Sequence, residues 1–110
     1  MTTTVTLPET IARYFDADRT DDIETLIDCF APDARVHDER EDHVGHEAIR
    51  AWKVAASQKY QYTVTPLAVR HNGDEVIVHN RLEGTFPGSP VEVDHVFGLR
   101  DNRITSLRVE

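Results

Sequence analysis

Three side chains in this 110-residue sequence could do acid–base chemistry: Tyr14, Asp38 and Asp94. Asp38 ends the stretch "ARVHD", which we interpret as a short strand. Because side chains alternate across a strand, Asp38 shares a face with the apolar residues Ala34 and Val36. The carboxylate therefore lies at the inner rim of the core or, if the strand frays at its end, in solvent with the charged residues that follow.

Tyr14 and Asp94 each allow two interpretations. Tyr14 falls on the apolar face of a predicted first helix with Ile11 and Phe15, so it is either a core tyrosine or a phenol that donates a hydrogen bond into a cavity. Asp94 interrupts the strand-like stretch "VEVDHVF" and shares a face with Glu92. That face is either exposed to solvent or the wall of a polar cavity.

The composition argues against several classes of function. The formal net charge is −8, and no cluster of Lys or Arg is present. Binding to nucleic acids or to anionic membranes is therefore disfavoured. The single cysteine, Cys29, excludes an internal disulfide and is interpreted as an inert thiol. Since no apolar run or secretion signal is present, we expect a cytoplasmic protein.

The histidines do not form a convincing metal motif. His43 and His46 are three residues apart, but Gly45 lies between them and no third ligand has a fixed spacing. No glycine-rich phosphate loop or nucleophile elbow is present either. We expect neither a metal nor another cofactor.

The order of the predicted elements indicates an α+β fold in a single domain that spans residues 1–110. Three amphipathic helices come first, with the strand "ARVHD" between the second and the third. The second half changes to strand-like patterns separated by turn signals, and is predicted to form an antiparallel meander. Its four strands are "YQYTVTPLAVRH", "EVIVHNRLEGTF", "VEVDHVFGLR" and "RITSLRVE".

This order, together with "CFAPDARV", "GHEAIR" and "VDHVFGLRDNRITSLR", resembles the nuclear transport factor 2-like (NTF2-like) superfamily. Within it the sequence is most similar to the ketosteroid isomerase and SnoaL-like polyketide cyclase branch. The resemblance implies a cone, in which a strongly curved, mostly antiparallel sheet wraps over three N-terminal helices (a cystatin-like α+β roll). It also implies a pocket at the wide end of the cone.

The resemblance assigns roles to the three acid–base residues. Asp38 corresponds to the general base of ketosteroid isomerase, and Tyr14 and Asp94 correspond to the two donors that stabilise the oxyanion in that enzyme. The implied activity is cofactor-free proton transfer on a small carbonyl compound. The implied pocket is lined by Trp52, Asn80, Leu82 and Val96. Because Asn80 is polar, a small oxygenated ketone is favoured over a steroid.

Two other functions remain open within this fold. The domain could be a non-catalytic module that binds a small hydrophobic ligand. Alternatively it could be an epoxide hydrolase, which would need an arginine between two aspartates, but alternation places Arg81 on the face opposite Asn80. We also expect a homodimer through the outer sheet face, which is formed by Ile77, His79, Arg81, Glu83 and Thr85 of the long strand beside Val91, Val93, His95 and Phe97.

Overall fold

The computed structural model describes residues 6–59 and 61–110, and within them it has the predicted α+β order. Three helices precede or interrupt a six-stranded sheet, whose last four strands form the predicted meander. The elements are α1 (Glu9–Arg19), α2 (Ile23–Asp28), β1 (Phe30–Asp38), β2 (Glu41–Val44), α3 (His46–Lys59), β3 (Tyr62–Asn72), β4 (Glu75–Gly84), β5 (Val91–Arg100) and β6 (Arg103–Val109).

The charged stretch after β1 forms a hairpin that the sequence pattern did not predict. β1 continues to Asp38 and is joined to the short strand β2 by Glu39 and Arg40. Both turn residues have positive φ angles, 52° and 68°, a conformation that suits the twist of a two-residue hairpin but is uncommon for residues other than glycine. Asp38 pairs with Glu41 across this hairpin, so the end of β1 is not frayed.

The sheet has the order β2-β1-β6-β5-β4-β3. All neighbouring strands are antiparallel except β1 and β6, which run parallel, with Val36 opposite Leu107. The sheet is curved, as expected for an NTF2-like fold. The pairing of β1 with β6 brings the first and the last strand together, and β1 lies inside the sheet between β2 and β6.

The helices pack against one face of the sheet. The Tyr14 ring of α1 contacts the Phe97 ring of β5 edge to face, with 5.5 Å between the centroids. Ile11 on α1, Ile49 on α3 and Val78 on β4 are fully buried in the same core. Among the described residues, no helix has the length and apolar character required to cross a membrane.

The outer face of the sheet differs from the surface that led us to expect a homodimer. His95 and Phe97 contact Phe15 on α1, so their strand face is covered by the helices. The residues beside Ile77 and His79 are instead Val96 and Asp94. Because side chains alternate, the expected apolar patch of β5 lies inside the fold, and the outer face is largely charged.

Candidate functional site

Asp38 is held on the helix side of the sheet by a single defined hydrogen bond. Ala34 and Val36 on the same strand face are fully buried, and Asp38 is partly buried at the end of this row. The indole Nε1 of Trp52 on α3 donates to Asp38 Oδ2 at 3.0 Å. The carboxylate is thus fixed against α3, and does not belong to the solvated charges that follow it.

Trp52 connects Asp38 to the centre of the fold. Its ring lies 6.1 Å from the His43 ring of β2, and the ammonium of Lys53 lies 5.1 Å from its centroid. The indole is partly buried rather than fully enclosed. Trp52 therefore contacts Asp38 at the end of β1, His43 of β2 and Lys53 of its own helix.

Tyr14 is a buried phenol in an aromatic cluster. Its ring is 1% exposed and contacts Phe30 and Phe97 edge to face. Burial raises the pKa of the Tyr14 hydroxyl well above its ordinary value, because the phenolate would be poorly solvated, although the charge of Lys53 partly opposes this. Tyr14 is therefore neutral at physiological pH and retains a proton to donate.

Asp94 is bound to a histidine on the outer face of the sheet, whereas Tyr14 and Asp38 lie on the helix side. Its carboxylate lies 2.7 Å from His79 Nδ1, and Glu92 lies 2.6 Å from the other ring nitrogen of the same histidine. Both hydrogen bonds raise the pKa of His79, and the one with Asp94 has the larger effect. Because Phe97 points toward α1, alternation places Asp94 on the opposite, outer face of β5.

Val96 and Arg81 also lie on the outer face. Val96 is buried there between its cross-strand neighbours Ile77 and Arg108, and does not line a pocket on the helix side as expected. The half-exposed Arg81 pairs with Glu83 at 3.5 Å. An epoxide hydrolase would need an arginine between two aspartates inside the cone. Arg81 does not supply it, because it lies on the outer face.

Asn80 lies on the helix side, in a fully buried polar pair with His95. Its Nδ2 donates to Val78 O at 2.9 Å and lies 2.7 Å from His95 Nδ1, while its Oδ1 is buried with no hydrogen-bond partner among the described residues. Burial, together with the charge of Lys53, lowers the pKa of His95 to about 4. His95 is therefore neutral at physiological pH. Leu82 follows Asn80 on the same face and is partly buried.

A buried ion pair between α1 and α3 was not predicted from the sequence. Lys53 Nζ lies 2.6 Å from Asp18 Oδ1, and the two side chains are 6% and 14% exposed. Lys53 also donates to the Tyr62 hydroxyl at 3.5 Å. Burial alone would lower the pKa of Lys53, but Tyr14, Asp18 and Tyr62 outweigh it and raise that pKa. A signal was present, because Lys53 lies one turn after the buried Ile49.

A cavity of about 770 Å³ opens between α1, α3 and β3 beside this ion pair. Asp18, Lys53 and Tyr62 line it, together with apolar side chains that include Phe15 and Leu26. None of the seven residues predicted for the site lines this cavity. No group of three or more His, Cys, Asp or Glu side chains within residues 6–59 and 61–110 is arranged to hold a metal ion.

Comparison with known proteins identifies the family. The family model of the SnoaL-like domain matches residues 11–107, which is most of the chain. The chain belongs to the SnoaL-like family. This SnoaL-like protein is also 41% identical to a candidate polyketide cyclase from Sinorhizobium meliloti, whose structure superposes with a TM-score of 0.92 over 94% of this chain and 95% of that one.

Two further solved structures share the fold of this SnoaL-like protein. One is a protein of ketosteroid isomerase-like fold from Catenulispora acidiphila in complex with trimethylamine, with 24% identity, a TM-score of 0.82 and coverage of 96% of this chain and 86% of that one. The other is an NTF2-like protein from Cytophaga hutchinsonii, with 15% identity, a TM-score of 0.77 and coverage of 100% and 93%. No curated protein matches the sequence. The family and fold predicted from the sequence are thus confirmed.

Proposed function

We propose that this SnoaL-like protein catalyses an isomerase- or cyclase-type proton transfer on a small carbonyl compound without a cofactor, with Asp38 as the base. The observation that carries the proposal is the hydrogen bond from Trp52 to Asp38, because it fixes a carboxylate at the inner end of β1. The 41% identity to a candidate polyketide cyclase supports the same class of reaction.

The reaction needs a base near the carbon next to the carbonyl and a donor near the carbonyl oxygen. In this proposal Asp38 takes the proton from carbon and returns it at a second position, and Tyr14 donates a hydrogen bond to the enolate oxygen. Burial keeps Tyr14 in its neutral, proton-bearing form. Asp94 has no role in this version of the mechanism, because it is bound to His79 on the outer face.

The test compares two aspartates of the same charged stretch. Asp38→Asn keeps the shape of the side chain and an acceptor for Trp52 but removes the base, so turnover of a β,γ-unsaturated ketone should fall by about 10²- to 10⁴-fold. Asp42→Asn is the matched control, since the half-exposed Asp42 side chain is bound to His37 and to no other side chain within residues 6–59 and 61–110. Equal turnover in the two variants, or no turnover by the unmodified protein over a panel of enolisable ketones, would contradict the proposal.

A second candidate is a non-catalytic module that binds small ligands. It is favoured by one observation: Asp38 and Tyr14 are absent from the residues that line the 770 Å³ cavity. In this case ligands bind without turnover, and Asp38→Asn leaves their affinity unchanged. The same two variants therefore distinguish the two candidates.

The homodimer remains part of the proposal, although its surface is different from the expected one. The outer face presents Ile77 among side chains of both charges, which include Arg81, Glu92 and the pair of His79 with Asp94. Such a face can complement a second copy of itself around a two-fold axis. Sedimentation at micromolar concentration should give a species twice the 12.5 kDa of one chain, and a single-chain mass would contradict it.

A further inference from the structure

Lys53 is an ammonium buried at the wall of the cavity with part of its hydrogen-bonding capacity unused. An ammonium has three N–H donors. In the described part of the chain, Asp18 accepts one of them at 2.6 Å, and the Tyr62 hydroxyl accepts a second at the long distance of 3.5 Å. At least one donor is therefore left for an acceptor outside the protein.

Aromatic rings occupy other directions around this ammonium. Lys53 Nζ lies 5.1 Å from the centroid of Trp52, 5.8 Å from that of Tyr14 and 6.0 Å from that of Tyr62. The Trp52 and Tyr14 rings stabilise a cation but accept no conventional hydrogen bond, whereas Tyr62 meets the ammonium through its hydroxyl. The third N–H of the ammonium is therefore not used by the rings. Lys53 lines the cavity, so this N–H is available to a ligand there.

The rest of the cavity suits a small and largely apolar molecule. Phe15, Ile23, Leu26 and Val64 line it from α1, α2 and β3. Its volume of about 770 Å³ falls within the usual range of about 300–1,000 Å³ for small-molecule pockets. An apolar body with one oxygen acceptor would fill both the apolar walls and the position beside Lys53.

We propose that this cavity binds a small acidic enol or phenol, with its ionised oxygen on Lys53 Nζ and its ring or chain against Phe15 and Leu26. A charge-assisted hydrogen bond in a buried position is stronger than a neutral one. The ion pair with Asp18 holds the ammonium in place. This binding site does not depend on turnover, and it is separate from the role proposed for Asp38.

The charges around the cavity are compatible with an anionic ligand. Asp18 offsets the charge of Lys53 but cannot donate a hydrogen bond, so the ammonium is the group that faces the ligand oxygen. Asp16 at the rim is paired with Arg19, and Asp21 at the rim is exposed, where water and salt screen it. The raised pKa of Lys53 keeps it charged at neutral pH.

The competing explanation is that the pair of Lys53 with Asp18 only ties α1 to α3. A purely structural pair would affect the stability of the fold but not which ligands bind. The two explanations therefore differ in how ligand preference responds when the charges are removed.

The experiment measures binding of 4-nitrophenol and of 4-nitroanisole, which has a similar size but no acidic proton. Dissociation constants are measured at a pH at which free nitrophenol is partly ionised, and the visible absorbance of its anion shows the ionisation state of the bound probe. The variants are Lys53→Met and the double variant Asp18→Asn/Lys53→Met, which leaves no unpaired buried charge. The matched control is Glu9→Gln/Arg13→Met. It removes an exposed ion pair of α1, the helix that carries Asp18, and neither residue lines the cavity.

We expect the unmodified protein to bind nitrophenol as its anion and about 10- to 100-fold more tightly than nitroanisole. Lys53→Met and the double variant should lose this preference, whereas the Glu9/Arg13 control should keep it. A folded double variant with an unchanged preference would overturn the proposal, as would a native protein that binds both probes equally or neither. Because no step requires turnover, a failure of the proposed proton transfer would leave this result unaffected.

Discussion

Trp52 Nε1 donates a 3.0 Å hydrogen bond to Asp38 Oδ2, and this bond links α3 to the end of β1. The donor is a neutral indole and the acceptor is a carboxylate, so the bond is of the stronger, charge-assisted kind. The other carboxylate oxygen, Asp38 Oδ1, takes no part in this bond.

Trp52→Phe should lower the free energy of unfolding by about 1.5–3 kcal/mol, because it removes the donor and keeps an aromatic ring. Trp52→Ala also removes the packing of the ring and should cost roughly 3–5 kcal/mol. Urea unfolding followed by circular dichroism measures both. A loss below about 1 kcal/mol for Trp52→Ala would show that the ring contributes little to the core.

A double-mutant cycle isolates the bond itself. Asp38→Asn keeps an oxygen that accepts from Trp52 but removes the charge, so Trp52→Phe should cost less in that background than in the native one. A coupling energy near zero would show that the charge of Asp38 adds nothing to the hydrogen bond.

The outer-face position of Asp94 gives a prediction for His79. Asp94 and Glu92 accept hydrogen bonds from the His79 ring and raise the pKa of His79, so its NMR titration midpoint should lie above the ordinary value of about 6.5 for histidine. Asp94→Asn should lower this midpoint and leave any ketone turnover unchanged. A large loss of turnover in Asp94→Asn would show that Asp94 acts in the active site.

The pair of His79 with Asp94 also determines how the stability that His79 contributes changes with pH. A raised pKa in the folded state means that the contribution of His79 is present below its unfolded pKa and is lost as the pH rises through the folded one. His79 is well exposed, so this contribution is small at physiological ionic strength.

His95 should make the protein sensitive to acid. Its pKa of about 4 in the folded state lies below the ordinary value of about 6.5, so its contribution is complete above that value and is lost as the pH falls toward 4. The loss should amount to about 3 kcal/mol over this interval. His95→Gln cannot titrate but can still bind Asn80, so its urea midpoint should fall less between pH 7 and 4. If the urea midpoints of the two proteins fell equally between pH 7 and 4, His95 would not be buried in its neutral form.

Gly84 should tolerate no side chain. A Cβ at this position would lie 2.1 Å from the carbonyl oxygen of Gln61, a backbone atom that cannot rotate away. A Cβ at Gly98 would meet the Ser106 hydroxyl at 2.4 Å, and that side chain can change rotamer. Gly84→Ala should therefore cost about 1–3 kcal/mol, and more than Gly98→Ala. Thermal unfolding of the two variants checks the order, which would be reversed if β3 and β4 could separate locally at little cost.

Strand alternation grouped the side chains of β5 correctly, although it did not show which group faces the helices. Alternation grouped His95 with Phe97 and placed Asp94 on the other side, which is the arrangement in the structure. The correspondence with ketosteroid isomerase then moved Asp94 inside, because it follows residue order and takes no account of which face a strand turns toward the helices. Family resemblance identified the fold, and the position of each side chain depended on local geometry.

The residues missed by sequence reasoning are those whose environment depends on distant elements. Lys53 is missed because lysines usually lie on the solvent face of a helix, and only the packing of α1 and β3 against α3 shows that it is buried. Strand β2 was missed because Glu39 and Arg40 are not typical residues for a tight hairpin turn. Both features depend on tertiary contacts, and the position of Lys53 one turn after Ile49 is the one local signal for its burial.

The parallel pairing of β1 with β6 has a consequence for how the protein is made. The N–H of Ile104 donates to the carbonyl oxygen of Cys29 at 2.8 Å, and Phe30 pairs with Ile104, so the first strand is fixed by the last. A nascent chain on the ribosome can form the three helices and the hairpin of β3 with β4 while β1 still lacks its inner neighbour. The strand that carries Asp38 can take its final position only when β6 has left the exit tunnel, because contacts between distant residues form last.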